Sequence, residues 1–239
     1  MPHPEAVPRA ASTPSASPAA LAFPETAIAA TDVCVSFTNL QKGRRELAVD
    51  KISLQVQRGE FVSLIGPSGC GKTTLINVFA GFIAADSGEV LTDGVRVNGV
   101  NSEHVSMMFA RDTLLPWRTA RENVALALEL KHTADIGARS RELLEVVGLE
   151  GFADFYPSQL SQGMRQRVAL ARTLAANRSV MLLDEPFAAL DAQTKTLVHA
   201  EFMRIWEADR KSVVLVTHDL MEAIALSDRV IVMSPRPGR

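Results

Sequence analysis

Gly66-Pro67-Ser68-Gly69-Cys70-Gly71-Lys72-Thr73-Thr74 decides the fold. The stretch fits G-x-x-x-x-G-K-[ST], follows the apolar run Phe61-Val62-Ser63-Leu64-Ile65 and leads into Leu75-Ile76-Asn77-Val78-Phe79. Strand, glycine loop and helix in that order place backbone N–H groups and a helix N-terminus around an anion, the setting that cradles nucleotide phosphates. Glycines let the backbone close tightly. Lys72 is positioned to reach the β- and γ-phosphates, and the Thr73 hydroxyl to ligate Mg²⁺. Gly66, Pro67, Ser68, Gly69, Cys70, Gly71, Lys72, Thr73 and Thr74 are therefore the candidate nucleotide-binding residues.

The chain has 239 residues, room for one large α/β domain or two small ones. Its net charge of −2 gives no global electrostatic reason to expect nucleic acid or a membrane surface. No apolar run approaches the ~20 residues of a membrane span, so work at a membrane would require docking onto another protein. The two cysteines, Cys34 and Cys70, form no disulfide framework and fit a reducing compartment. Cys70 reads as a small loop residue contributing its backbone, with a redox sensor as the alternative. Of the 12 prolines, six fall at or before Pro24 among alanines and serines without apolar period, which predicts a disordered tail over 1–30. The tail lacks the basic start and apolar core of a secretory signal.

Beyond the tail, Val33–Phe37 and Ile52–Val56 alternate as half-buried strands do. Turns at Asp86-Ser87-Gly88 and Asp93-Gly94 mark a small β-region, and Val105–Phe109 reads as a short strand. Helices are expected over 121–131, 135–147 and 161–176. Val180–Leu183 and Val213–Val216 are continuous apolar runs, the mark of strands buried on both faces, and Val230–Met233 is a last strand. Strands at both ends of a helical insertion indicate an α/β fold with a mostly parallel sheet. The small antiparallel β-subdomain and a helical subdomain at about 111–175 are added to it.

Asp184 and Glu185 end the apolar strand where parallel α/β sheets bind ligands. With the phosphate loop upstream, Asp184 is the candidate holder of the Mg²⁺ water shell beside Thr73. Glu185 is the candidate group that positions the attacking water. Ser161, in Leu160-Ser161-Gln162-Gly163-Met164-Arg165-Gln166-Arg167, precedes an alanine-rich helix as an N-cap would, leaving N–H groups and a positive dipole end outward. That is a second anion site, and one chain needs only one for its own nucleotide.

The phosphate loop, Leu160–Gly163, Leu182–Pro186, Ala189-Leu190-Asp191 and Thr217-His218-Asp219 stand in the order and spacing of the ATP-binding-cassette (ABC) ATPases, which the chain resembles over about 31–239. The resemblance implies a P-loop NTPase with a RecA-like core, ATP and Mg²⁺ as cofactors, and head-to-tail dimers that bury two ATPs. It further implies that Ser161 and Gly163 contact the γ-phosphate across the dimer, that Asp191 lies at the seam and that His218 senses the γ-phosphate. Leu114-Leu115-Pro116-Trp117-Arg118 together with Met164–Arg167 looks like the ATPase subunits of nitrate, sulfonate and taurine importers. There this neighbourhood receives the coupling helix of a transmembrane permease subunit. Such subunits sit on the cytoplasmic face of the plasma membrane and act indirectly with a solute-binding protein. Alone, Trp117 reads equally as a packing anchor, and Arg165 and Arg167 as solvated helix charges.

Other classes fit less well. Among soluble ABC ATPases working as conformational clamps, repair clamps carry long coiled coils between loop and signature and translation-type relatives carry two cassettes. Here the interval is only about 90 residues without sustained heptads, which leaves mainly a cluster-assembly type of scaffold. A small-molecule phosphotransferase leaves the signature segment unexplained.

The chain departs from the family pattern in several places. A glutamine that contacts Mg²⁺ or water is usual after the strand before Leu-Leu-Pro-Trp, but here the run is Met107-Met108-Phe109-Ala110-Arg111-Asp112. Ala110 has neither a side-chain carbonyl nor an amide, and Asp112 is the nearest group that could take its place. The signature has Gln162 where glycine is commoner. For the adenine-stacking aromatic, Phe37 is the nearest candidate, with a strand-core phenylalanine as the other reading. Family members continue beyond Ser234-Pro235-Arg236-Pro237-Gly238-Arg239, where this sequence ends. Ala110→Gln is expected to keep or raise the ATPase rate; a loss above about tenfold, some 1.4 kcal/mol in barrier, would contradict this register.

Overall fold

The computed structural model describes residues 26–39 and 43–239. Along the chain, β1 (Thr26–Asn39) and β2 (Arg44–Gln57) precede β3 (Phe61–Ile65), the glycine loop and α1 (Lys72–Phe79). Then come β4 (Ser87–Thr92), β5 (Val95–Arg96) and β6 (Val105–Met108). Helices α2 (Ala120–Glu129), α3 (Ile136–Val146) and α4 (Gln162–Ala176) separate β6 from β7 (Val180–Asp184). The chain closes with α5 (Ala192–Asp209), β8 (Ser212–Val216), α6 (Leu220–Leu226) and β9 (Arg229–Val232).

Two sheets result. One is antiparallel, in the order β2-β1-β4-β5; the other is parallel, in the order β6-β7-β8-β3-β9. Every residue of β7 and β8 is buried, as their apolar runs predict. The two-residue strand period sorts the parallel sheet's side chains into two cores. Phe61, Met181, Leu183, Val213 and Leu215 meet the helical layer, where Phe61 stands edge-on to Phe202 and Trp206 at centroid distances of 6.0 and 5.4 Å. Val62, Leu64, Leu182, Val214 and Val216 pack with α1 and the antiparallel sheet.

The boundary of the expected tail is corrected at one end. Residues 26–30 belong to β1, and Ala27, Ile28 and Ala30 are at most 3% exposed. Residues 1–25 lie outside the described residues. The two long strands were legible only toward their C-terminal ends because bulges interrupt the alternation. The β1–β2 register shifts between Ala30 and Val33 and again before Ser36, and Asp32 and Lys51 adopt positive φ.

The insertion between β6 and β7 is held by inward polar ties. Arg165 donates to the Leu160 carbonyl at 2.7 Å and Arg167 to the Val147 carbonyl at 2.8 Å, so neither is the solvated helix charge expected from sequence. At the head of α2, Thr119 and Glu122 form a reciprocal capping box. Asn123, fully buried, accepts from Leu115 N–H at 2.8 Å. Its amide donates to the Leu115, Arg118 and Thr119 carbonyls at 3.2, 3.0 and 2.9 Å. One side chain thereby fixes the turn that presents Trp117. Removing it takes hydrogen bonds from several half-buried backbone groups, each bond worth about 0.5–1.5 kcal/mol. Asn123→Ala should lower the thermal midpoint by at least about 4 °C; a midpoint within about a degree of wild type would contradict this role.

Candidate nucleotide site

Parallel strands all send their next loops out at the same sheet edge, and the sheet order decides which loops are neighbours. The turn after β7 carries Glu185, the turn after β8 carries His218, and the glycine loop follows β3. A cavity of about 550 Å³ lies over them. Ser68, Gly69, Gly71, Lys72, Thr73 and Thr74 line it together with Glu185 and His218. Gly66, Pro67 and Cys70 form the back of the loop and are not on the cavity wall.

The loop has little freedom. Gly71 sits at φ +107°, and a Cβ there would come within 2.9 Å of the Ala48 carbonyl oxygen. Lys72 is 8% exposed, its ammonium donating to the Gly66 and Pro67 carbonyls at 2.7 and 3.2 Å, with Cys70 Sγ at 3.8 Å. Thr73 Oγ1 donates to Asp184 Oδ1 at 3.3 Å. Asp184 is 2% exposed, and burial raises its carboxyl above the ordinary range. The Thr73 hydrogen bond and the Lys72 charge pull it down, while the Glu185 charge pushes it further up.

Glu185 occupies left-handed backbone at φ +50°, unusual for a residue with a side chain. Two hydrogen bonds hold it there. Its N–H donates to the Val216 carbonyl at 2.8 Å, and its carbonyl accepts from Gln166 Nε2 at 2.7 Å. Gln166 Oε1 in turn accepts from Ala189 N–H at 2.8 Å, so α4 is pinned to the turn after β7. The Glu185 carboxylate stands 3.4 Å from His218 Nδ1. Beneath His218, Thr217 Oγ1 donates to the buried Glu222 at 2.6 Å, and Lys195 of α5 pairs with Asp219 at 3.0 Å. His199, also on α5, lies 3.3 Å from Glu222 Oε1.

Ser161, Gly163 and Asp191 line no part of this cavity. Ser161 caps α4 by accepting from Met164 N–H, and Asp191 caps α5 by accepting from Thr194 N–H. Gly163 touches the turn before Asp191, where a Cβ would meet the Ala189 carbonyl at 2.9 Å. Gln162 is exposed, which explains how it replaces a glycine. Asp112 is not placed to replace the missing glutamine. Its carboxylate is bound by Arg165 at 3.0 Å and it lines no part of the cavity. Phe37, left open in the sequence, is 42% exposed and lines the cavity, so it is not a core residue. Sequence reasoning missed Gln166, Glu222 and Arg236, another residue on the cavity wall. No local pattern distinguishes them from ordinary polar helix or loop residues.

The donors fit a hard divalent cation. Thr73 Oγ1 and Asp184 Oδ1 are oxygen ligands at one spot, and the buried carboxylate lacks a full counter-charge there. Among the described residues no cluster of three or more His, Cys, Asp or Glu could hold a metal alone. An ion at this spot therefore needs phosphate oxygens and water as well.

A glycine loop opening a helix, with carboxylates on a nearby strand end of a parallel sheet, defines a phosphate-loop nucleotide-binding protein. The ABC transporter family model matches residues 49–188, more than half the chain, and the chain belongs to that family. An ABC transporter ATP-binding protein of Methanocaldococcus jannaschii is 48% identical over 82% of this chain and 74% of its own. A taurine import ATP-binding protein of Roseobacter denitrificans is 44% identical over 84% and 75%, respectively. An aliphatic sulfonates import ATP-binding protein of Bacillus cereus is 42% identical over 80% and 75%. Among solved structures, a dimeric ATP-binding cassette in a post-hydrolysis state bound to ADP and Pi superimposes with a TM-score of 0.81 at 31% identity. That match covers 89% of this chain and 97% of the other.

Asp184 also makes a testable contribution to stability. A carboxyl whose folded value is raised stabilises most below its unfolded value and loses that contribution as pH rises through the folded one. At neutral pH the buried anion is a net cost to the nucleotide-free protein. Asp184→Asn should therefore raise its melting temperature near pH 7 by a few degrees, roughly 2–4 °C per kcal/mol. The gain should vanish toward about pH 4. A lower midpoint at neutral pH would contradict the account.

Proposed function

We propose that this chain is the ATP-binding and ATP-hydrolysing subunit of a multisubunit importer for a small anion or organic solute of the sulfonate, taurine or nitrate type. The observation that carries the reading is the convergence of Lys72, Thr73, Glu185 and His218 on one cavity, with Asp184 bonded to Thr73 behind its wall. The import ATP-binding proteins among its relatives favour that solute class.

In this reading Lys72 exchanges the loop carbonyls for the β- and γ-phosphates, and the loop N–H groups surround the same oxygens. Thr73 and Asp184 would hold the Mg²⁺, which would supply positive charge to offset that of the phosphates. Glu185 orients the attacking water and takes up its proton, and His218, hydrogen-bonding distance away, reports on the γ-phosphate. Stabilisation is mainly electrostatic: a unit-charge pair at 4 Å is worth roughly 4 kcal/mol at an effective dielectric of 20. Ser161 and Gly163 of a second copy complete the γ-phosphate side, with Asp191 at the seam.

The permease would dock where the helical insertion meets the core. Trp117 is 71% exposed in the turn that leads into α2. Among the described residues no helix is long and apolar enough to cross a membrane. The proposed site of action is the cytoplasmic membrane face, reached through permease subunits that receive solute from a binding protein. Residues 26–239 would form the cassette, with about 111–175 as its helical subdomain.

Two variants test the site together. Lys72→Ala should abolish ATP binding or turnover, and activity within about threefold of wild type would sink the assignment. Glu185→Gln should bind ATP, hydrolyse it at least about a hundredfold more slowly (near 2.7 kcal/mol), and accumulate as a dimer in size-exclusion chromatography. Normal turnover would remove Glu185 from its water-positioning role.

A further inference from the structure

The strand order that places Glu185 and His218 on one side of the glycine loop places another segment on its opposite side. In the row β7-β8-β3-β9, the turn after β9 is 233–239, the run that ends Pro-Arg-Pro-Gly-Arg. At about 4.8 Å per strand, β9 lies roughly 14 Å from β7 along the sheet edge. A nucleotide with its γ-phosphate at Glu185 and its other phosphates on the loop extends toward this turn.

The segment is a built strap. Gly238 N–H donates to the Ala48 carbonyl at 3.0 Å, and Asp50 N–H donates to the Gly238 carbonyl at 2.9 Å, a short parallel bridge to β2. Arg239 binds Asp50 at 2.8 Å, and its N–H donates to Ser234 Oγ at 3.0 Å. The strap rests directly on the phosphate loop. A Cβ at Gly238 would run into the Cys70 carbonyl oxygen and the Met233 side chain.

So held, the strap puts Arg236 on the cavity wall beside Phe37 and Ala48. Arg236 Nε donates to the Leu47 carbonyl at 3.1 Å, which orients the guanidinium, and the Glu46 carboxylate is 3.8 Å from its Nη2. Across the hairpin Glu46 is the partner of Phe37. The guanidinium therefore stands at the same end of the cavity as the exposed aromatic ring, away from the hydrolytic carboxylate. With 44% of its side chain exposed, its remaining N–H groups and planar face are free to meet a ligand.

We infer that Arg236 binds the nucleoside half of the triphosphate, meeting the base and ribose with its planar guanidinium at the end of the cavity that Phe37 lines. A guanidinium stacks on aromatic faces and donates from a rigid fork, and both modes suit a base with its ribose hydroxyls. The inference rests on the reading of the cavity as an ATP site, and the experiment separates the two.

Affinities of the full-length protein for ATP and for inorganic tripolyphosphate, both with Mg²⁺, are measured by displacement of a fluorescent ATP analogue. Arg236→Ala should weaken ATP about five- to tenfold, leave tripolyphosphate within about twofold, and leave the nucleotide-free melting temperature unchanged. Should Arg236→Ala fail to fold, Arg236→Lys, which keeps the charge without the fork, should show a smaller loss confined to ATP. Equal weakening of both ligands would overturn the inference, placing the effect in the strap's support of the loop. Unchanged ATP affinity would overturn it as well. Lys72→Ala serves as the control and should weaken both ligands; if it weakens neither, the ATP-site reading fails, and the inference with it.

Discussion

A parallel strand can be joined to its neighbour only by a crossover, and a parallel sheet must be covered on both faces. These two requirements set the rest of the molecule. Covering the sheet consumes α1 and the antiparallel sheet on one face, and α4 and α5 on the other. The crossovers deliver each following turn to one edge. Because the spatial order β6-β7-β8-β3-β9 is not the chain order, residues as distant as Lys72, Glu185, His218 and Arg236 line one cavity.

Within that frame the site carries several unfavourable features that a triphosphate and a cation would relieve. Lys72 is confined among carbonyl oxygens of its own loop, and Asp184 is a buried carboxylate with only Thr73 and a nearby ammonium to offset burial. Glu185 sits in left-handed backbone, which costs about 1–3 kcal/mol for such residues and persists only where the surroundings enforce it. Gln166 and the Val216 carbonyl are those surroundings. Charges and dipoles are thus fixed before a ligand arrives, so little reorganisation is left for the reaction itself.

The sequence was most legible where a short local pattern has one structural solution. The glycine loop, the apolar runs that became β7 and β8, and the cap Ser161 are of this kind, because period and spacing are readable within a dozen residues. It was least legible where the meaning of a residue depends on distant chain. Asp112 looked free to stand in for a glutamine until Arg165, 53 residues on, was found to hold it. Phe37 changed from a possible core residue to a cavity residue because bulges in β1 shift the faces of that strand. Thr26–Ala30 read as tail because alanine and threonine carry little apolar signal, although the hairpin buries them. Gln166 and Arg236 had no signal at all, since each matters through a backbone carbonyl in another segment.

The outward face and the cavity are mechanically one object. Ser161 and Gly163 begin α4, and one turn further along that helix Gln166 grips both Glu185 and Ala189. Asp191 begins α5, and the same helix reaches the His218 turn through Lys195 and through His199. Gly163 lies against the turn before Asp191, so the two helix starts cannot shift independently. In the proposed dimer, a second copy pressing on Ser161 or Asp191 would move α4 and α5. Those helices bear on the carboxylate and the histidine of the first copy's own cavity through side-chain contacts of one or two steps. A nucleotide shared between two copies would then need no long-range relay, because in that dimer each γ-phosphate would lie against one copy's helix start and the other copy's Glu185. Packed interiors of this kind pass small displacements on with little loss, and the coupling between the two sites is set by the rigidity of α4 and α5.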